Sequence, residues 1–175
     1  MTSSVRTVAV ILSAAVFAVF GSACGDGGGE KSEPSKSPGD SARAKTVSVR
    51  SGELGKFLAG GEEGKTLYLF VKDKTSKSTC SGSCAEAWPP MTVKDKPVAG
   101  SGVQKGLLGT TTGGDGGKQV TYQGHPLYYY QPDQKAGETK GQDLDQFGAK
   151  WYVVGTDGKA IKDKPKGDGG GGGGY

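Results

Sequence analysis

The chain has 175 residues, 33 of them glycine, and a formal net charge of +4. Its acidic and basic residues are interspersed, which excludes the basic stripe that tracks nucleic acid. Glycine-rich polar stretches take up both flanks, so about 115 residues remain, enough for one compact domain.

Residues 1–23 have the layout of a secretory signal peptide. Arg6 is the only charge, and Val8–Phe20 is an apolar run suited to an h-region. That run is too short and wrongly flanked for a stable membrane span. Gly21, Ser22 and Ala23 lead into Cys24, an ending that resembles a bacterial lipobox, although Gly21 stands where Leu, Val or Ile is usual. The resemblance implies acylation of Cys24 and an anchor on the outer face of the cell membrane. Ordinary cleavage nearby, leaving a spare thiol, is the alternative. Residues 24–45 are dominated by Gly, Ser, Pro, Lys and Asp, and bury too little to offset chain entropy. They are expected to form a disordered tether.

From Thr46 the pattern changes. Thr46–Arg50 alternates as a strand, and Leu54–Leu58 reads as another, followed by a turn over Gly60–Gly64. Gly64–Asp73 reads as a strand with Tyr68, Phe70 and Lys72 on one face and Leu67, Leu69, Val71 and Asp73 on the other. Cys84–Trp88 is the one helical candidate, stopped by Pro89 and Pro90. Leu107–Thr112 and Gln119–Tyr122 read as strands around a turn at Gly113–Gly117, and Tyr122–Pro126 as a tight connection. Gly124–Asp133 is strand-like, as is Trp151–Val154, which a turn at Thr156–Gly158 closes. Residues 161–175 read as a disordered glycine-rich tail. Short strands, glycine-rich turns and no helical periodicity predict an all-β, mainly antiparallel domain over residues 46–160.

Gly64–Asp73 is repeated. In Gly124–Asp133, Leu127 matches Leu67, Tyr128 matches Tyr68, Tyr130 matches Phe70 and Asp133 matches Asp73. Each copy runs on to a tryptophan, Trp88 or Trp151, giving repeats over about 64–91 and 124–154. Neither half buries enough to fold alone, so both tryptophans are expected in or beside one shared core. Each aspartate is expected to cap the turn after its strand. The paired aromatics read as core and edge packing in preference to a ligand box.

Three cysteines are present, and Cys24 is reserved for lipid. Outside the cytoplasm, Cys80 and Cys84 are predicted to form a disulfide that pins the turn carrying Trp88. The redox-active alternative needs a lowered thiol pKa and an exposed sulfur, and the spacing is longer than that of thioredoxin-like motifs. Two thiols and one histidine fall short of a zinc site. His125, the only histidine, precedes Pro126 in a turn. It is a candidate ligand for haem or copper, with Met91 as a second ligand, set against a plain hydrogen-bonding role. There is no c-type haem attachment motif, no Gly-x-Ser-x-Gly, and no evident acidic partner for His125. A catalytic function and a resident cofactor are therefore not expected.

Taken together, Leu67–Asp73, Ser78–Pro90, Gln119–Tyr128 and Trp151–Val154 resemble a bacterial family. It comprises predicted lipoproteins with a repeated Tyr-x-(Phe/Trp/Tyr)-x-x-Asp motif, a secreted repeat of unknown function. The resemblance covers about residues 64 to 158 and implies that Tyr68, Phe70, Asp73, Tyr128, Tyr130 and Asp133 are family-defining positions. It implies an actinobacterial source and no reaction. The second copy has Gly137–Gly141 where the first has its cysteine pair, so disulfide chemistry belongs to the first. The expected function is a non-enzymatic cell-surface module that binds a ligand, a wall component or an envelope protein. A redox or haem- and metal-handling lipoprotein is the alternative.

Overall fold

The computed structural model describes residues 46–163. The expected leader, lipidation site Cys24 and tether lie outside the described residues, as does the tail beyond residue 163. Ten strands, one short helix and a 3₁₀ turn at Lys105–Leu107 make up the described part, an almost wholly β architecture.

The first sheet has the order β3-β2-β1-β5. It contains β1 (Thr46–Gly52), β2 (Gly55–Gly60), β3 (Lys65–Thr66) and β5 (Val98–Ala99). Only the β1–β5 pairing is parallel. A second sheet, β4-β10-β9, joins β4 (Tyr68–Phe70) to β10 (Ala149–Val153) and β9 (Asp145–Gln146). A third, β6-β7-β8, contains β6 (Leu108–Thr112), β7 (Lys118–Tyr122) and β8 (His125–Pro126). The helix α1, Ser83–Ala87, follows Cys80, and the Trp88 amide donates to the Cys84 carbonyl at its end.

Neither motif copy is one continuous strand. The first divides at Leu67, because Thr66 pairs with Ala59 of β2 whereas Tyr68 pairs with Val153 of β10. The second is strand only at His125–Pro126 and then changes partner at successive residues. The Leu127 amide donates to Val120, Tyr128 to Tyr68 and Tyr129 to Pro89. The backbone stays extended, but no single neighbour runs beside it far enough to build a ladder.

The turn chemistry explains the entry to this segment. Gln123 and Gly124 have φ of 49° and 79° between the paired residues Tyr122 and His125, as a two-residue hairpin of the primed type requires. The motif glycine of the first copy, Gly64, also has positive φ, 60°.

Alternation along the first copy divides the interior in two. Leu67 and Leu69 join Val47, Leu58, Met91, Val120, Tyr122 and Leu127 in one apolar cluster. Tyr68 and Phe70 join Phe57, Trp88, Tyr128, Trp151 and Val153 in the other. The fold continues past Ala160, where the tail is expected to begin. The Ile161 amide donates to Val153 at 2.9 Å, its side chain packs on the second cluster, and Gln142 Nε2 donates to its carbonyl.

Candidate functional site

The motif residues converge at the centre of the second cluster. Tyr68 and Tyr128 face each other and exchange both backbone hydrogen bonds, at 2.8 and 3.0 Å. Their phenols then cross between the copies. Tyr68 Oη donates to Asp133 Oδ2 at 2.5 Å, and Tyr128 Oη donates to Asp73 Oδ2 at 2.6 Å. Asp73 and Asp133 sit in matching turns, each amide donating to the carbonyl of the aromatic residue three before it, Phe70 or Tyr130, at 3.0 Å. Each other carboxylate oxygen holds the loop that follows. Asp73 Oδ1 accepts from Thr79 N and Oγ1, and Asp133 Oδ1 accepts from Lys140 N.

Both carboxyl groups are buried, Asp73 being 3% exposed and Asp133 1%. Burial of such a group is tolerable only with its oxygens hydrogen-bonded. Burial pushes the Asp133 carboxyl up, opposed by the Tyr68 hydroxyl and the Lys140 amide. Tyr68 and Tyr128 are held far above the ordinary phenol range, first by burial and then by the carboxylates that accept their hydrogen bonds.

Around these pairs the rings form a continuous stack. Tyr130 lies on Trp88 at 4.2 Å between centroids, Trp88 on Trp151 at 4.0 Å, and Trp151 on Phe70 at 4.1 Å. Tyr68 meets Trp88 edge-on and Tyr128 meets Trp151 edge-on. Gln146 serves both indoles, its Oε1 accepting from Trp88 Nε1 and its backbone carbonyl from Trp151 Nε1. The two tryptophans therefore share one core, in which the motif aromatics Tyr68, Phe70 and Tyr128 are buried while Tyr130 packs half-buried at its edge. Cys80 and Cys84 are disulfide-bonded at the start of α1, both buried. Ser78 links this region to the crossed pairs: its hydroxyl lies 2.8 Å from Tyr128 Oη and donates to it, because the single phenol proton goes to Asp73.

What remains open is the surface at the two ends of the stack. Tyr130 lines a cleft of about 540 Å³ with Tyr129, Pro89, Gln131, Gln134 and the Glu62–Glu63 turn. Burial and the charge of Glu63 raise the Tyr129 phenol pKa. Phe70 lines a second cleft of about 460 Å³, together with His125 and several lysines. His125 is thus at the rim of an open cleft, whereas Met91 is sealed in the first cluster with its sulfur against Gly60. Among the described residues, no group of three His, Cys, Asp or Glu side chains could hold a metal ion.

Sequence reasoning finds the Tyr, Asp and Trp positions through the repeat and the Cys pair through cysteine count and spacing. It misses Gln146, which no motif marks, and Tyr129, hidden inside a run of three tyrosines, and it gives Ser78 and Thr79 no role beyond their place in the Ser78–Pro90 segment.

A family described as a secreted repeat of unknown function matches the chain twice, over residues 49–92 and 109–155. No curated protein and no solved structure matches it. The matches cover more than half of the chain, and the chain belongs to this family. Each match contains one motif copy with its crossed tyrosine and aspartate. A secreted family fits an extracellular or envelope location.

Proposed function

We propose that this chain is a lipid-anchored extracytoplasmic module that binds a glycan of the cell envelope without catalysis, through the Tyr129–Tyr130 cleft. The observation that carries the reading is the placement of Tyr130. Its ring is backed by Trp88, which Trp151 and Gln146 hold in turn, and it lines an open cleft. A sugar ring offers a C–H face to an aromatic surface and hydroxyls to polar groups at its edge. Pro89 and Tyr129 extend the apolar floor, and Gln131, Gln134, Glu62 and Glu63 supply amides and carboxylates. The anchor rests on the lipobox-like ending at Cys24, and the extracytoplasmic setting on the secreted family. An envelope protein docking beside the glycan is compatible with the same face.

The test is titration with a β-1,4-linked N-acetylhexosamine tetrasaccharide, followed by two-dimensional NMR. Shifts should centre on Tyr129, Tyr130 and Gln131. Affinity should fall roughly ten-fold in Gln131→Ala/Gln134→Ala, the equivalent of about 1.4 kcal/mol. Shifts scattered away from the cleft, or none at all, would sink this reading.

A second reading, a redox or haem- and metal-handling lipoprotein, draws on one observation. The stack Tyr130–Trp88–Trp151–Phe70 connects the aromatic cleft to the cleft that contains His125. A Soret band, or stoichiometric copper, in protein purified from its host would favour it.

A further inference from the structure

We propose that the second cleft is an anion site and that it takes a phosphodiester-linked polymer. Its walls bring Lys74, Lys150, Lys159 and Lys162 together with His125 around a floor that includes Leu69 and Val71. The lysines come from three separate segments: the turn after β4, strand β10, and the stretch that follows β10. No single run of sequence charge announces them.

The acidic groups nearby do not cancel this charge. Asp73 lines the cleft and keeps its charge, but it is the one carboxylate of the lining against four lysines, and Thr79 and Tyr128 occupy its oxygens. Asp143 pairs with Lys150 at 3.3 Å and Asp157 with Lys159 at 3.7 Å, both between half-exposed or exposed side chains. Such exposed pairs are weak and screened, so an incoming phosphate can replace either acid. Lys74 and Lys162 make no ion pair among the described residues.

The residue types narrow the ligand. Arginine presents a planar fork that suits a carboxylate or a single fixed phosphate, whereas lysine ammonium groups act as mobile point charges. The cleft holds lysines and no arginine. Mobile point charges suit phosphates spaced along a flexible chain, and the Leu69–Val71 floor suits the aliphatic links between them. A site of this kind lies apart from the Tyr129–Tyr130 cleft and does not depend on what that cleft binds.

The experiment titrates the full-length protein, in neutral detergent, with poly(glycerol phosphate), and in a separate detergent-free arm compares phosphatidylglycerol with phosphatidylcholine vesicles, to which the lipid anchor contributes alike. Binding to the polymer should be saturable, should weaken as salt rises, and should fall at least ten-fold in Lys74→Gln/Lys162→Gln. A control of equal net charge, Lys56→Gln/Lys94→Gln, alters exposed lysines outside the cleft and should leave affinity within two-fold. Equal losses in both double variants would show attraction by net charge alone and overturn the site. Preference for phosphatidylglycerol over phosphatidylcholine vesicles without binding to the polymer would overturn the polymer as its occupant. Failure of glycan binding at the other cleft leaves this result unaffected.

Discussion

Tyr68 and Tyr128 are bonded to each other through their backbones, yet each phenol donates to the aspartate of the opposite copy. The repeated motif is therefore a pair of half-locks. Each Tyr-x-(Phe/Trp/Tyr)-x-x-Asp copy carries a donor whose acceptor lies in the other copy. A copy on its own would leave its buried carboxylate short of one donor, at a cost of about 1–3 kcal/mol or more for a charged group. Two copies in one chain satisfy both.

The ring stack should be sensitive to volume in both directions. Trp88→Ala or Trp151→Ala should cost roughly 3–5 kcal/mol, since both side chains are fully buried. Gly141→Ala should also destabilise, by about 1–3 kcal/mol, as overpacking does. A β-carbon there would stand 2.7 Å from Trp88 Cη2 and 2.9 Å from Tyr68 Cε1, on rings that have little room to move. Gly106→Ala, where no neighbour lies within 4 Å, is the control. Urea unfolding curves give these values, and a neutral Gly141→Ala would mean that the stack is looser than described.

Stability should decline in alkali. The phenols of Tyr68 and Tyr128 are raised above their ordinary value of 10.0 by burial and by Asp133 and Asp73. Their contribution is complete below that unfolded value and is lost as pH rises toward the higher folded values, because the unfolded chain gives up its protons first. The slope approaches about 1.4 kcal/mol per pH unit for each such tyrosine. Unfolding free energies between about pH 9 and 11 should fall more gently in Tyr68→Phe than in the parent. Parallel slopes would contradict the assignment.

Much of this arrangement is legible in the sequence, and the reason is the repeat. Matching Tyr68 with Tyr128 and Asp73 with Asp133 identifies the residues that matter, and alternation along Leu67–Phe70 identifies which cluster each side chain enters. Partnership is another matter. Nothing in one linear motif says that its tyrosine bonds the other motif's aspartate, because that depends on how two distant segments pass each other. Continuous motif strands are expected from the pattern of aromatic and β-branched residues. They fail because the chain changes neighbour at Leu67 and again after Pro126. Gln146, which holds both indoles, lies in the two-residue strand β9, too short for any periodicity to mark it.

The disulfide should matter modestly and locally. Cys80 and Cys84 are four apart, so closing that loop stabilises by about 2 kcal/mol on the chain-entropy account. Intact mass before and after reduction and alkylation should show both thiols blocked in exported protein. Cys80→Ser/Cys84→Ser should fold, with its largest NMR shifts at Ser78, Thr79 and α1. Free thiols in protein exported by its own host would remove the structural role.

Anchoring through Cys24 predicts a membrane fraction for the parent and loss from it in Cys24→Ala, through release to the medium or stalled processing. A Cys24→Ala chain that still sediments with membranes and migrates like the parent would contradict lipidation.

The crossed lock is tested most directly by double-mutant cycles on four pairs, using Tyr→Phe and Asp→Asn substitutions and urea unfolding. Tyr68 with Asp133 and Tyr128 with Asp73 should each show a coupling energy of about 1–3 kcal/mol, as direct hydrogen-bond partners do. The pairs within one copy, Tyr68 with Asp73 and Tyr128 with Asp133, should be additive within about 0.5 kcal/mol. Strong coupling within each copy and none between copies would show that each motif closes on itself and that the crossed arrangement is wrong.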